Sequence, residues 1–445
     1  GALNDLIEAA YLLLPLTLFL VCTPLQERRL TRSMLAVGLW AMGLGLLFVA
    51  ASEYFFFEEF DARFNLVAVD YLIYPTEVIG DIRAEYPVGS LLLLFAVLSA
   101  LGTWGLMKRL RTGLRRSLPS RRARFTALVL HLGLIVAITA LWTAESLSVF
   151  DNRVANELVA NGPARFFAAF RNNHIDYPVF YRHGDSREMF ERLSADLAPG
   201  GGQFVNLPGG DLTRRFEADP AGLGRLNVVL IVEESLGASS VGAYGSERGL
   251  TPEFDALAER GMLFTRAFAT GTRTVRGLEA LSASLPPIPS ESIVKREGNQ
   301  GIATWGRVMN ELGYQSSFLY GGYGAFDNMN PYFRGNGFAT SDRTDIPDPG
   351  FANVWGVSDE DLMQHAVAYF DNAAKQGKPF FSLIMSTSNH KPFTFPAGVP
   401  GVPPHGGGRS AGVRYADYAI GQFMRAARTR PWFSNTVFVI VADHD

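Results

Sequence analysis

Four long, mostly uncharged runs within the first 142 residues limit this chain more than any other feature. They are Ala10–Leu25, Met34–Ala51, Val88–Met107 and Ala127–Trp142. A bilayer crossing needs about 20 mostly apolar residues, and the four runs approach or reach that length. One such run could be a buried helix of a soluble protein, but four in so short a stretch leave too little polar chain to cover them. Beyond residue 145 charge, Gly and Pro are mixed as in globular domains. The predicted organisation is a transmembrane α-helical domain over residues 1–143, a juxtamembrane linker over 144–224 and a water-soluble α/β domain over 225–445.

Charge orients the spans. Arg28, Arg29 and Arg32 lie between the first two runs, and Lys108, Arg109, Arg111, Arg115, Arg116, Arg121, Arg122 and Arg124 between the last two. Basic loops stay on the cytoplasmic side. The intervening loop carries Glu53, Glu58, Glu59, Asp61, Asp70, Glu77 and Asp81, which places it outside together with both chain ends. Because the chain starts at Gly1 on the outer side, an earlier fifth span is expected. Phe64–Ile82 is apolar but holds Asp70, Glu77 and Asp81, which suits an interfacial helix.

A formal charge of −3 with no basic cluster after residue 145 excludes a nucleic-acid binder, which needs a basic face. The single cysteine, Cys22, excludes an internal disulfide framework and a cysteine zinc site.

In the soluble part, strands are predicted at Asn227–Val232, Met262–Phe268, Gln315–Tyr320, Pro379–Ser386 and Thr436–Ala442. Helices are predicted at Pro252–Arg260, Val275–Ala283, Ile302–Leu312, Asp359–Ala374 and Val413–Ala427. This alternation predicts a largely parallel sheet, whose ligands sit beyond the carboxyl ends of its strands. Chemistry-bearing residues recur there. NVVLIV runs into Glu233, Glu234 and Ser235, and TVFVIVA into Asp443, His444 and Asp445. One acidic pair could be a solvated turn; two such ends, one with an imidazole, suit a divalent cation of the manganese or zinc type. Thr272 and Thr274 precede a predicted helix, where a hydroxyl serves as an N-cap and also meets amides that favour phosphate. A metal-bound threonine is a usable nucleophile. His390, in STSNHKPF, stands where it could touch phosphate oxygens or protonate a leaving group. His131, His174, His183, His365 and His405 lack such surroundings and read as structural or surface residues.

VVLIVEES, GTRTVRGLEA, WGVSDEDL, SNHKPF and the terminal ADH, in this order and spacing, resemble the lipoteichoic acid synthase-like phosphoglycerol transferases of the sulfatase and alkaline phosphatase superfamily. The membrane half is similar to that family as well. The resemblance implies a sulfatase-like catalytic domain outside the cytoplasm of a bacterial inner membrane. It also implies a metal bound by Glu234, Thr274, Asp443 and His444, with manganese the first choice and zinc or magnesium the alternatives. Thr274 would be the catalytic nucleophile, forming a phospho-threonine intermediate, and His390 a substrate-binding residue. The donor would be a phosphatidylglycerol-like membrane phospholipid and the acceptor a glycan, lipid or polymer. Where the family places a Trp-Asn-Arg set for the head group, Asp327, Asn328 and Met329 stand here.

Three other readings compete. A sulfatase needs a Cys or Ser in a C/S-x-P-x-R motif, and residues 272–276 read TRTVR. A phosphoethanolamine transferase shares the threonine chemistry but carries extracellular disulfides. A non-catalytic membrane sensor would not need all four ligand positions filled. Finally, ligands two residues from the chain end at Asp445 lead to the expectation that the domain is truncated at its C-terminus, since terminal residues are mobile unless tied down.

Overall fold

The computed structural model describes residues 2–23, 29–60, 62–73, 75–114, 120–142, 150–171, 184–217, 222, 224–286 and 291–445. Arg28, Arg115, Arg116, His174 and His183 lie outside them. The chain divides into two compact units, Gly1–Asn173 and His174–Asp445.

In the first unit, four helical segments are long and apolar enough to cross a membrane: Ala2–Cys22, Arg29–Phe60, Val88–Leu110 and Arg121–Leu141. The first starts eight residues before the apolar run suggested. It is two helices, Ala2–Leu12 and Leu14–Cys22, interrupted near Pro15. Proline withholds only its own amide at a first helical turn, so the ladder resumes, with Leu13 N bonding Ala9 O at 3.0 Å and Thr17 N bonding Leu13 O at 3.0 Å. His131 joins spans, its Nδ1 2.9 Å from Thr17 Oγ1 and its Nε2 2.8 Å from Ala10 O. This is the structural role assigned to it from the sequence.

Over the stretch Phe64–Ile82 lie Leu66–Ile73 and Pro75–Glu85, helices of 8 and 11 residues, the second running on to Glu85. At 1.5 Å per residue these reach about 12 and 17 Å, short of a hydrocarbon core of about 30 Å. The linker region holds more regular structure than its composition suggested: helices Arg153–Val159, Gly162–Arg171 and Ser186–Leu197, then the hairpin β1 (Gln203–Asn206) and β2 (Asp211–Arg215). The hairpin turn uses Gly210 at φ +79°, a backbone state that glycine adopts without strain.

The second unit is built on five parallel strands: β3 (Asn227–Glu233), β4 (Gln315–Tyr320), β5 (Ala339–Ser341), β6 (Phe380–Met385) and β7 (Thr436–Ala442), in the order β5-β4-β6-β3-β7. Strands covered on both faces need continuous apolar runs, which explains NVVLIV and FFSLIM. Val229, Ile231 and Ile384 pack with the helices Asp359–Lys375 and Gly408–Ala427. On the opposite face Val232, Leu383 and Met385 pack with Thr274–Ala283 and Met329–Gly335.

One predicted strand is wrong. Met262–Phe268 is a loop, with Met262 82% and Phe268 87% exposed. Its apolar alternation mimics a half-buried strand, but a strand needs a partner ladder, and none pairs with it among the described residues. The three-residue β5 was missed because Ala339–Ser341 offers too short a pattern to read.

Candidate active site

The carboxyl ends of β3 and β7 lie side by side, with Glu233 in register with Ala442. Glu234, Asp443 and His444 follow directly, and one ligand atom from each lies within 4.8 Å of the others. Ser235 makes the turn at φ +50°. Its amide donates to Asp443 Oδ1 at 2.9 Å, and its hydroxyl to Glu234 Oε1 at 2.7 Å. The structure thus brings together three of the four residues from the two strand ends, and Thr274 joins them: its Oγ1 donates to Glu234 Oε2 at 3.1 Å.

Thr274 reaches this point through a helix geometry that the sequence did not reveal. The helix runs Thr274–Ala283 with Arg273 as N-cap, and no side chain caps it. Thr274 is therefore the first helical residue and its hydroxyl points at Glu234. Gly277, one turn on, allows the helix to rest against β7. A Cβ there would stand 2.5 Å from the Asp443 carbonyl oxygen and 2.8 Å from Asp443 Cα, and backbone cannot yield as a side chain can. Alanine improves helix propensity by about 1 kcal/mol, but overpacking costs about 1–3 kcal/mol. Gly277→Ala is expected to lower the melting temperature and to reduce metal affinity at least tenfold by separating Thr274 from Asp443. Calorimetric metal titration checks this, and unchanged affinity would contradict the packing argument.

The histidine is oriented by its neighbour. His444 Nδ1 lies 2.9 Å from Asp445 O; a carbonyl only accepts, so the ring hydrogen is assigned to Nδ1 and the lone pair to Nε2. Nε2 is 3.6 Å from both Glu234 Oε1 and Asp443 Oδ2. These separations are long for hydrogen bonds and suit ligands around a shared cation. Asp443 Oδ2 is buried without a hydrogen-bond partner, an arrangement that is costly unless something satisfies it. Burial first, then the charge of Glu234, pushes Asp443 up to about 7. The residues therefore fit a divalent cation by donor type and by this unsatisfied oxygen.

Glu233, to which no role was assigned, points elsewhere. It is buried, and its Oε2 accepts from Ser386 Oγ at 3.0 Å, while the same Ser386 oxygen accepts the Glu234 amide at 2.9 Å. Burial, with the charge of Asp359 next, holds its carboxyl well above the usual range. Asn389 Nδ2 donates to Glu234 O at 2.9 Å and to Ser235 O at 3.1 Å. The segment after β6 thereby grips the end of β3, a contact foreshadowed in the sequence only by the polar run STSN.

His390 follows Asn389. Its Nδ1 is 2.9 Å from Lys391 O, which again assigns that hydrogen to Nδ1. In the segment 327–329, Asp327 Oδ1 pairs with Lys295 Nζ at 3.4 Å, with both side chains buried. Arg334 Nε donates to Thr340 Oγ1 at 2.6 Å. His365 bonds Ser341 Oγ at 2.9 Å, a structural contact.

Residues 226–445 match the sulfatase family. Phosphoglycerol transferase I of Citrobacter koseri is 25% identical over 244 residues, covering 49% of this chain and 31% of that protein; phosphoglycerol transferase I of Salmonella paratyphi B matches to the same extent. The chain thus spans about a third of the length of these curated relatives. The crystal structure of a protein of the alkaline phosphatase superfamily from Vibrio parahaemolyticus is 36% identical with a TM-score of 0.53, covering 60% of this chain and 65% of that one. The family match, the relatives and the parallel sheet with ligand-type residues at its carboxyl edge agree. The chain has four helices long and apolar enough to cross a membrane and a C-terminal α/β domain of sulfatase-like fold, its residues 226–445 match the sulfatase family, and it is similar to phosphoglycerol transferases and to a protein of the alkaline phosphatase superfamily.

Proposed function

We propose that this protein transfers phosphoglycerol from a phosphatidylglycerol-like membrane phospholipid to a glycan, lipid or polymer acceptor, with Thr274 as nucleophile. One observation carries the reading: the Thr274 hydroxyl lies 3.1 Å from Glu234 Oε2, within the cluster completed by Asp443 and His444. Glu234, Thr274, Asp443 and His444 would hold a divalent cation, manganese first. Such a cation lowers the pKa of a bound hydroxyl and offsets charge on phosphoryl oxygens.

The chain's own groups supply the rest. The Thr274 proton leaves along its bond to Glu234 as Oγ1 bonds to phosphorus and the phosphorus–oxygen bond to diacylglycerol breaks. With Nδ1–H committed to Lys391 O, His390 can donate to a phosphate or leaving oxygen only through a protonated Nε2. It then gives that proton to the departing diacylglycerol oxygen. In the second half the acceptor hydroxyl attacks the phosphorus, returns a proton to His390, and Thr274 regains its own as its ester bond breaks. Amides at the start of the Thr274–Ala283 helix favour the phosphate there.

The charge bias of the loops supports a catalytic domain on the outer face, beside the outer leaflet donor. Full chain with manganese is expected to release diacylglycerol from phosphatidylglycerol and not from phosphatidylethanolamine in mixed micelles. Release from phosphatidylethanolamine alone would move the head group to the phosphoethanolamine class.

A further inference from the structure

Trp355 opens WGVSDEDL, a motif of which only Asp359 has entered the site so far, through its charge near Glu233. Its indole lies flat on the imidazole of His390, with ring centroids 3.9 Å apart and planes at 7°, and Phe326 packs its edge against the indole at 5.0 Å. The backbone under it is heavily pinned. Asn353 Oδ1 accepts the amides of Trp355 at 2.9 Å and of Gly356 at 3.0 Å, and Arg343 Nη1 donates to the carbonyls of Asn353 and Val354 at 3.3 Å. A half-buried aromatic side chain on so tightly held a loop is presented rather than merely packed.

We propose that Trp355 is a positioning residue for His390. Two constraints act on the imidazole at right angles: the Lys391 carbonyl holds Nδ1 at 2.9 Å, and the indole fixes the ring plane by covering one face. Together they leave Nε2 a single direction. A flat aromatic face also favours a cationic ring stacked on it, the form in which Nε2 donates. Trp355 comes from the loop after β5 and His390 from the segment after β6, so the stack also ties two separate segments into one surface. This inference rests on the reading of His390 as the group that meets the substrate phosphate.

A double-mutant cycle on the full, manganese-loaded chain tests it, with kcat and KM for phosphatidylglycerol in micelles and with melting temperature and metal content as controls. Trp355→Ala is expected to lower kcat/KM about tenfold, the scale on which small misplacements of a reacting group are felt. Trp355→Phe, which keeps a flat ring, recovers most of it. In a His390→Ala background Trp355→Ala costs nothing further, since interacting residues are not additive. Should the alanine variant not fold, Trp355→Leu, which keeps bulk without a flat face, takes its place in the cycle. Equal losses in both backgrounds, or kinetics like the parent's, would overturn the role of Trp355 alone. A silent His390→Ala would instead remove the reading of His390 and this inference with it.

Discussion

Thr274→Ala is expected to abolish turnover, by at least a thousandfold in kcat, while leaving the fold and membrane insertion intact. The side chain removed is one hydroxyl and one methyl at the first position of a helix that has no side-chain cap, so no N-cap bond is lost. Packing is supplied by Val275 and Leu278, which are buried. In the proposed reaction this hydroxyl is the nucleophile, and removal of a nucleophile leaves only residual acceleration from binding and charge stabilisation, losses on the order of 10³ or more. Metal content of the variant should fall less than activity, because Glu234, Asp443 and His444 remain within reach of one another. Head-group release at more than about a tenth of the parent rate would remove Thr274 from the mechanism.

Asp443→Asn should separate metal binding from stability in opposite directions. The substitution removes one of the carboxylates proposed to hold the cation, so manganese uptake and turnover are expected to be lost. The metal-free protein, in contrast, should become more stable at pH 8. Asp443 is held at about 7 in the fold against about 3.9 unfolded. The folded state therefore binds the proton more tightly, its contribution is complete below pH 4, and stability is lost as pH rises from there to about 7. The loss is on the order of a few kcal/mol by linkage. Asparagine cannot ionise, yet its Oδ1 still accepts the Ser235 and His444 amides that Asp443 Oδ1 accepts at 2.9 and 2.7 Å. Scanning calorimetry with chelator at pH 5 and pH 8 checks this. The parent should lose more stability than the variant across that interval, and a variant that melts below the parent at pH 8 would contradict the linkage. The same proton competes with metal, so metal affinity of the parent should weaken as pH falls below 7.

Much of the frame was legible because its physics is local. β3 and β7 are built on apolar runs, VVLIV and VFVIVA, and the acidic pair Glu233–Glu234 and the pair Asp443–His444 follow those runs directly. A buried parallel strand has to be apolar, so the first charged residue past it marks the edge where ligands bind. What escaped is non-local. The clearance that Gly277 gives against Asp443, the grip of Ser386 and Asn389 on the end of β3, and the stack of Trp355 on His390 join residues 35 or more positions apart, only loosely related by pattern, at separations set by the fold. Met262–Phe268 failed for a related reason: alternation records which residues favour burial, not whether a ladder exists to receive them. The buried Lys295–Asp327 pair could not be read from positions 32 residues apart.

The proposed reaction stands or falls on passage of phosphoglycerol through Thr274. Brief exposure of the full, manganese-loaded chain to phosphatidylglycerol, followed by acid quench and peptide mass mapping, tests it most directly. A glycerophosphate adduct is expected on Thr274 that appears before acceptor is added, disappears when acceptor is supplied, and is absent with chelator. Diacylglycerol release with no adduct, or an adduct on Ser235 or Thr272 instead, would contradict it.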